Sequence, residues 1–397
     1  MNRLGRRRFL KTGIAGAAGV MAFSPVIASP VSDKAERDYP QRTLGKTNIK
    51  VPVVSFGVMR ADNPGLVKAA YENGIKLFDT AHGYQNGNNE TMLGNFFKDV
   101  PRSSFFLETK VKPNGVGRDG KPTDQTTEED FLQKFDLSLS RLKLDYVDIL
   151  YVHDISNPEL LEHKPLLTAL QKLKKQKKIR FAGFSTHGNM AGVIDAAAGK
   201  KDWDVILTSY NFKLNAIDEL NAAISKAAKA GIGIVAMKTM AGGGFLDKEK
   251  TKPVNTSAAL KWALSNPDIH TTIPGMTTFD HLTANIKVLE DISLSEQDKK
   301  DLLLAAAEPG LMCTGCTSCA GSCPFNLPVP DLMRAYMYAY GYSEKGMAYN
   351  LLGELGTGVS PCSNCEVCKV ECGGGFNVRD RIADISRLVN VPAEFIS

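Results

Sequence analysis

Eight cysteines, all after residue 312, fall in two runs of identical spacing. The first, CTGCTSCAGSCP, supplies Cys313, Cys316, Cys319 and Cys323 ahead of Pro324; the second, CSNCEVCKVEC, supplies Cys362, Cys365, Cys368 and Cys372. Both read C-x2-C-x2-C-x3-C. In that spacing one short loop curls three thiolates around an iron–sulfide cubane while the fourth reaches a neighbouring cluster. The expectation is therefore two 4Fe–4S clusters, one held by Cys313, Cys316, Cys319 and Cys372, the other by Cys362, Cys365, Cys368 and Cys323. Zinc held by four cysteines usually takes two C-x2-C pairs a dozen or more residues apart. A disulfide framework would scatter its cysteines through a small domain. The second run ends Cys372–Gly373, where the ferredoxin pattern has Cys–Pro.

A second set of reactive residues lies upstream: Asp79 in LFDTA, Tyr84 in DTAHGY, Lys110 in LETK and His153 in YVHD. Each follows or closes a short β-branched run. The runs VPVVSFG, IKLFDTA, SFFLETK, VDILYVH, IRFAGFS, DVILTSYN, IGIVAMKTM and IHTTIPG alternate with amphipathic stretches such as TEEDFLQKFDLSLSRLKL and DELNAAISKAAKAG. Strands alternating with helices of this length imply βα units and a parallel sheet. Eight such units predict an α/β fold, a closed (β/α)8 TIM barrel over 41–300, with chemistry where strands end and loops begin. Between the cysteine runs, apolar and aromatic residues, Tyr336, Tyr338, Tyr340, Tyr342 and Tyr349 among them, recur at helical spacing. This predicts a small alpha-helical ferredoxin-like dicluster domain over 305–397, its tyrosines packing the helices; an electron-relay stripe is the competing reading.

In these contexts Asp79, Tyr84, Lys110 and His153 resemble the catalytic set of the aldo-keto reductases, and RTLGKTNIKVPVVSFG, KKIRFAGFS, SYN and IPG extend the likeness over 41–290. GFSTH and the cysteine-bearing tail resemble the iron–sulfur branch of that family. The resemblance implies Tyr84 as general acid toward a carbonyl oxygen. Lys110 would lower its pKa, Asp79 would hold Lys110 charged, and His153 would orient the carbonyl. It also implies a nicotinamide, NADP or NAD, with Ser185 at the carboxamide, Asn285 at the adenine, and Asn211, Lys238 and Gly275 as further contacts. Departures gather there: Thr186, Leu207 and Met237 replace the usual nicotinamide partners, and Gly275 and His281 stand where the family holds a 2′-phosphate with Lys and Arg. The run MAGGGFLDK is either a pyrophosphate loop or a lid. His82 and His187 are weaker candidates for substrate contacts. KLKKQKKIR at 172–180 reads as a lysine-rich helix end complementing the dipole.

The first 28 residues carry Arg3, Arg6, Arg7, Arg8 and Lys11, no acid, and lead into an apolar stretch ending SPVIAS, with small Ala28 as the expected cleavage position. RRRFLK resembles a twin-arginine export signal, a route for folded proteins. Those five basic residues equal the whole formal charge of +5. The mature chain is then near neutral, which gives no argument for a nucleic-acid partner. The expectation is a periplasmic oxidoreductase exported after folding by the twin-arginine translocase. It would act on a small carbonyl or alcohol, with a redox protein or quinol as electron partner. The alternative is an electron-carrier or binding protein whose barrel is a scaffold.

Overall fold

The computed structural model describes residues 39–242, 244–316, 318–358 and 361–396; the leader and its cleavage position lie outside them. Arg37–Ser397 form one compact unit, so the barrel and the cysteine-rich tail pack as a single body.

A hairpin opens the described chain: β1 (Gln41–Thr43) pairs antiparallel with β2 (Lys50–Pro52). It covers the amino-terminal end of the barrel, where Lys46 donates its backbone N–H to Gly231 O at 2.8 Å. The stretch expected as one strand, VPVVSFG, is thus divided, because its first residues pair with β1 and only β3 (Phe56–Gly57) joins the barrel. β3, β4 (Leu77–Asp79), β5 (Phe106–Val111), β6 (Val147–Val152), β7 (Ile179–Thr186), β8 (Val205–Ser209), β9 (Gly233–Met237) and β10 (Thr271–Thr272) form an eight-stranded sheet in chain order. All seven pairings in it are parallel. Parallel bridges Val54–Thr272 and Gly57–Gly275 join last strand to first.

Helices α1 (Pro64–Glu72), α2 (Asn88–Phe97), α3 (Glu128–Leu142), α4 (Lys164–Lys175), α5 (Met190–Ala197), α6 (Ile217–Lys229), α7 (Thr256–Leu264) and α8 (Phe279–Glu290) cross between the strands. Their caps explain where several begin. Asn63, Thr127, Asn255 and Thr278 each accept a backbone N–H in the first turn of α1, α3, α7 and α8. The lysine run ends α4 with Lys172, Lys174 and Lys175 in its last turn, where a helix dipole favours cations. Strand residues alternate between two cores. Phe78, Leu107, Leu150 and Phe184 face the helices, while Leu77, Ile149, Tyr151, Val205, Leu207 and Val235 fill the barrel.

After the barrel, α9 (Glu296–Ala307) leads into the tail, whose α10 (Val329–Tyr336), α11 (Lys345–Leu355) and α12 (Val378–Ser386) bury Leu332, Tyr336, Leu352, Ile382 and Ile385 together with Cys319 and Cys362. A π-turn at Met337–Gly341 follows α10. It divides the tyrosine stripe between two faces: Tyr338 pairs with Tyr342 at 6.0 Å and Tyr336 with Tyr340 at 4.7 Å. Among the described residues no helix is long and apolar enough to cross a membrane.

Candidate active site

The reactive residues meet at the carboxyl ends of the strands. Asp79 ends β4 and Lys110 lies one residue before the end of β5; Lys110 Nζ stands 2.6 Å and 2.8 Å from the two Asp79 carboxylate oxygens. Nζ also donates to Thr80 O at 2.7 Å and to Tyr84 Oη at 3.1 Å. Tyr84 begins a short turn in which Gln85 and Asn86 are both left-handed, at φ 50° and 54°. Such backbone persists when neighbours over-determine it; here Gln85 Nε2 donates to Met59 O and Ala61 O at 3.1 and 3.2 Å. His153 follows β6, its ring edge-on to Tyr84 with centroids 6.0 Å apart. The four residues on three successive strands therefore form one constellation, and the ammonium is its centre.

Burial by itself would lower the Lys110 pKa, but Asp79 and then Tyr84 outweigh it, so the ammonium stays charged. The imidazole of His153 is held well below its ordinary value by burial and by Lys110, so it is neutral. Tyr84 departs from expectation. Its phenol stands above the ordinary value because the cost of burying a phenolate exceeds the pull of Lys110, which the Asp79 charge partly cancels. The site in this state therefore holds Tyr84 protonated.

Asp79, Tyr84 and His153 line a cavity of about 690 Å³ whose other wall belongs to the cysteine-rich tail: Arg334, Tyr338, Tyr342, Asn350 and Glu354 line it with them. The tail is pinned there by Arg334, whose guanidinium lies 3.0 Å from Asp154, and by Arg60, 2.9 Å from Glu344. Asp154 also meets His187 at 3.1 Å. Burial pushes toward a higher Asp154 pKa, but Arg334 overrides it and holds the carboxyl well below the usual range. Burial and the Lys238 charge bring His187 down to about 4. The glycine run after β9 serves this contact: Gly242 has φ +110°, and a Cβ there would come within 3.0 Å of the Met312 side chain.

Of the five expected cofactor contacts, Lys238 and Gly275 line the cavity. Burial and Arg334 bring the Lys238 ammonium down to about 7. The other three are buried, and two of them are engaged within the chain. Ser185 Oγ accepts the Asp154 backbone N–H at 2.9 Å, and Asn211 Nδ2 donates to Lys238 O at 3.2 Å and lies 3.8 Å from Met312 Sδ. Asn285 keeps a buried amide nitrogen without a partner. Tail residue Met312 thus stands beside the Asn211 amide. His82 lines the cavity, with Nδ1 3.1 Å from Ser138 Oγ. His281 is exposed and bonds back to Thr277.

The thiols of Cys313, Cys316 and Cys372 surround Cys319, and those of Cys323, Cys365 and Cys368 surround Cys362. The fourth cysteine of each run therefore lies with the other run's three. None of the eight forms a disulfide. Among the described residues no three His, Cys, Asp or Glu side chains converge on a single metal ion; thiolates around a cubane stand wider apart than thiolates around one zinc. Two all-thiolate sets of four fit the 4Fe–4S donor requirement. Of the first set, Cys313 lies within electrostatic reach of the cavity residues Lys238 and Arg334.

Arg334 carried no signal in the sequence, and Tyr338 and Tyr342 stood out only as part of a helical stripe, because nothing in a helical stretch shows which face will meet a distant cavity. Asp154 and Glu108 carried a signal: a carboxyl beside a strand-end histidine, and a charge inside a β-branched run.

Comparison with known proteins agrees with this geometry. Residues 312–377 match the 4Fe-4S dicluster domain. The chain is 29% identical to the L-galactose dehydrogenase of Arabidopsis thaliana over 300 residues, covering 66% of this chain and 91% of that protein. It is 25% identical to the D-threo-aldose 1-dehydrogenase of a Pseudomonas species, covering 51% of this chain and 69% of that one. The holo form of an aldo-keto reductase from Bacillus halodurans superposes with TM-score 0.54 at 21% identity over 68% of this chain and 97% of its own, a likeness of fold. Residues 57–258, which carry the Asp79, Tyr84, Lys110 and His153 constellation, match the aldo/keto reductase family model, and this chain, an oxidoreductase with a fused 4Fe-4S dicluster domain, belongs to that family.

Proposed function

We propose that the protein interconverts a carbonyl and an alcohol in the capped cavity, exchanging electrons with an external partner through the dicluster domain. The observation that carries this reading is the shared cavity, lined on one side by Tyr84 and His153 and on the other by Arg334 and Tyr338 of the cysteine-rich tail. In the reducing direction a carbonyl gains two electrons, one at a time from the external donor, and two protons; Tyr84 gives one proton to its oxygen and water in the cavity gives the other to its carbon. Lys110 stabilises the tyrosinate left behind, Asp79 keeps Lys110 charged, and neutral His153 donates a hydrogen bond that polarises the carbonyl. Bound 4Fe–4S clusters supply one-electron transfer. No step runs through a nicotinamide.

The test is turnover of the cluster-loaded full chain on a panel of aldehydes, ketones and 2-oxo acids, with reduced methyl viologen or a reduced nicotinamide as donor. The proposal expects viologen-supported turnover that Tyr84→Phe abolishes. Absence of turnover with both donors overturns it. Persistence of activity in Tyr84→Phe with loss in Cys316→Ser would favour the electron-carrier reading.

Export after folding by the twin-arginine route is part of the proposal. Its support is the RRRFLK leader together with the grouping of Cys323 with Cys362, which only a folded chain provides. Replacing Arg6 and Arg7 by Lys is expected to leave cluster-loaded protein in the cytoplasm; periplasmic fractions unchanged by the substitution would refute it.

A further inference from the structure

Behind the cavity a second carboxyl is buried against the first. Asp79 on β4 and Glu108 on β5 are register partners, and both are fully enclosed. Glu108 Oε1 and Asp79 Oδ1 have no other hydrogen-bond partner, although Oδ1 lies close to Lys110. On the far side Tyr151 Oη donates to Glu108 Oε2 at 2.8 Å. The site is built for this ring: Gly183 is the neighbour of Tyr151 on β7, and a Cβ there would lie 2.6 Å from the ring and 2.4 Å from Val205 O. The titratable groups facing Glu108 are Asp79 from β4, Lys110 from its own strand and Tyr151 from β6. The rest of the barrel interior around Tyr151 is aliphatic, including Leu77, Ile149 and Leu207.

Two carboxyls in contact away from water are not both ionised at rest. Asp79 faces the ammonium, so the shared proton sits on Glu108 and is donated to Asp79. Burial, reinforced by the charge on Asp79, holds the Glu108 carboxyl well above the usual range. Side by side in register, Glu108 and Asp79 link Tyr151 on one side to Lys110 and Tyr84 on the other, with the outer end in the cavity.

We propose that Glu108 stores a transferable proton behind the catalytic set and returns Tyr84 to its protonated form while the cavity is closed by the tail. This rests on the reading of Tyr84 as the acid. When Tyr84 has given its proton to a substrate oxygen, a proton of Lys110 passes to the tyrosinate. Asp79 relays the Glu108 proton to Lys110, so the Glu108 O–H bond breaks and the Tyr84 O–H bond forms. No electrons move in this step. The charge lost at Tyr84 reappears at Glu108, leaving an unfavourable pair of ionised carboxyls that draws a proton back along the same chain once Tyr84 meets water in the open cavity. Glu108 is thus a positioning residue for proton supply, acting through Asp79 and Lys110.

Infrared difference spectroscopy of the cluster-loaded full chain, with and without Glu108→Gln, reads the store directly. A protonated-carboxyl band is expected at neutral pH in the wild type, absent from Glu108→Gln and shifted in Tyr151→Phe. Glutamine can still donate to Asp79 and accept from Tyr151, so a purely structural role predicts unchanged kinetics. The store predicts that kcat for glyceraldehyde with reduced methyl viologen falls about tenfold, within the range of assisted proton transfer, with KM changed less than twofold. Absence of the wild-type band overturns the proposal even if Glu108→Gln fails to fold. So does a band that survives Glu108→Gln, or a wild-type kcat in that variant. Activity in Tyr84→Phe would instead refute the underlying reading and leave the infrared result standing.

Discussion

At the scale of single residues, the ammonium of Lys110 organises the site because it touches a carboxylate, a carbonyl and a phenol at once. Burial, helped by the Asp79 charge, keeps Tyr84 protonated against the pull of Lys110, so the phenol becomes a good acid only when a substrate oxygen begins to take the proton. Tyr84→Phe is therefore expected to lower kcat by roughly 10²- to 10⁴-fold, the usual worth of general acid catalysis, with the fold and cluster absorbance unchanged; steady-state assay and visible spectra check both. The buried histidines set an acid limit. His187, at about 4 in the folded chain, lies below the ordinary histidine value of about 6.5. As pH falls through that window the unfolded chain takes up the proton first, so stability is full above about 6.5 and is lost toward 4, by up to about 3 kcal/mol. His187→Gln should flatten this slope in thermal unfolding measured from pH 7 to 4; an unchanged slope would assign the acid limit elsewhere.

At the scale of elements, the strands place the chemistry and the tail closes over it. Parallel pairing puts Asp79 and Lys110 on adjacent strand ends, and the loop after β6 brings His153 and Asp154 opposite α10. The Arg334–Asp154 pair is largely shielded, with side chains 22% and 17% exposed. Removing one partner of a shielded pair leaves the other charge uncompensated. Arg334→Met is expected to cost about 3 kcal/mol in urea unfolding of the cluster-loaded protein, and to speed proteolysis of the segment after α9 more than of the barrel. Gly183→Val tests the barrel interior: its side chain would drive into Val205 O and the Tyr151 ring. A melting temperature lowered by several degrees is expected from overpacking of about 1–3 kcal/mol.

At the scale of the whole molecule, the two cysteine sets cross between the runs and make the tail one cooperative piece. Cys372→Ser should therefore disturb the cluster of the first run, and Cys323→Ser that of the second. Iron content of each variant and electron paramagnetic resonance of the reduced proteins check the assignment; loss of the second-run signal in Cys372→Ser would reverse it. Because Cys313 of the first set lies within electrostatic reach of Lys238 and Arg334, only the Cys372 variant is expected to abolish carbonyl turnover without loss of barrel stability.

Some of this was legible in the residues themselves. The alternation of β-branched runs with amphipathic stretches, the placement of Asp79, Lys110 and His153 at strand ends, and the doubled cysteine spacing are all local patterns, which short-range backbone geometry converts into a barrel and two thiolate loops. The sequence also signalled poor nicotinamide contacts, through Thr186, Leu207 and Met237. Only the tertiary structure decided what those places contain. Arg334 meets Asp154 across 180 residues of chain, Met312 stands beside the amide of Asn211, and Glu108 lies against Asp79 inside the barrel. The protonation of Tyr84 was settled there too, because its pKa depends on how deeply the folded chain buries it, and burial is a sum over contacts between distant segments that no spacing encodes.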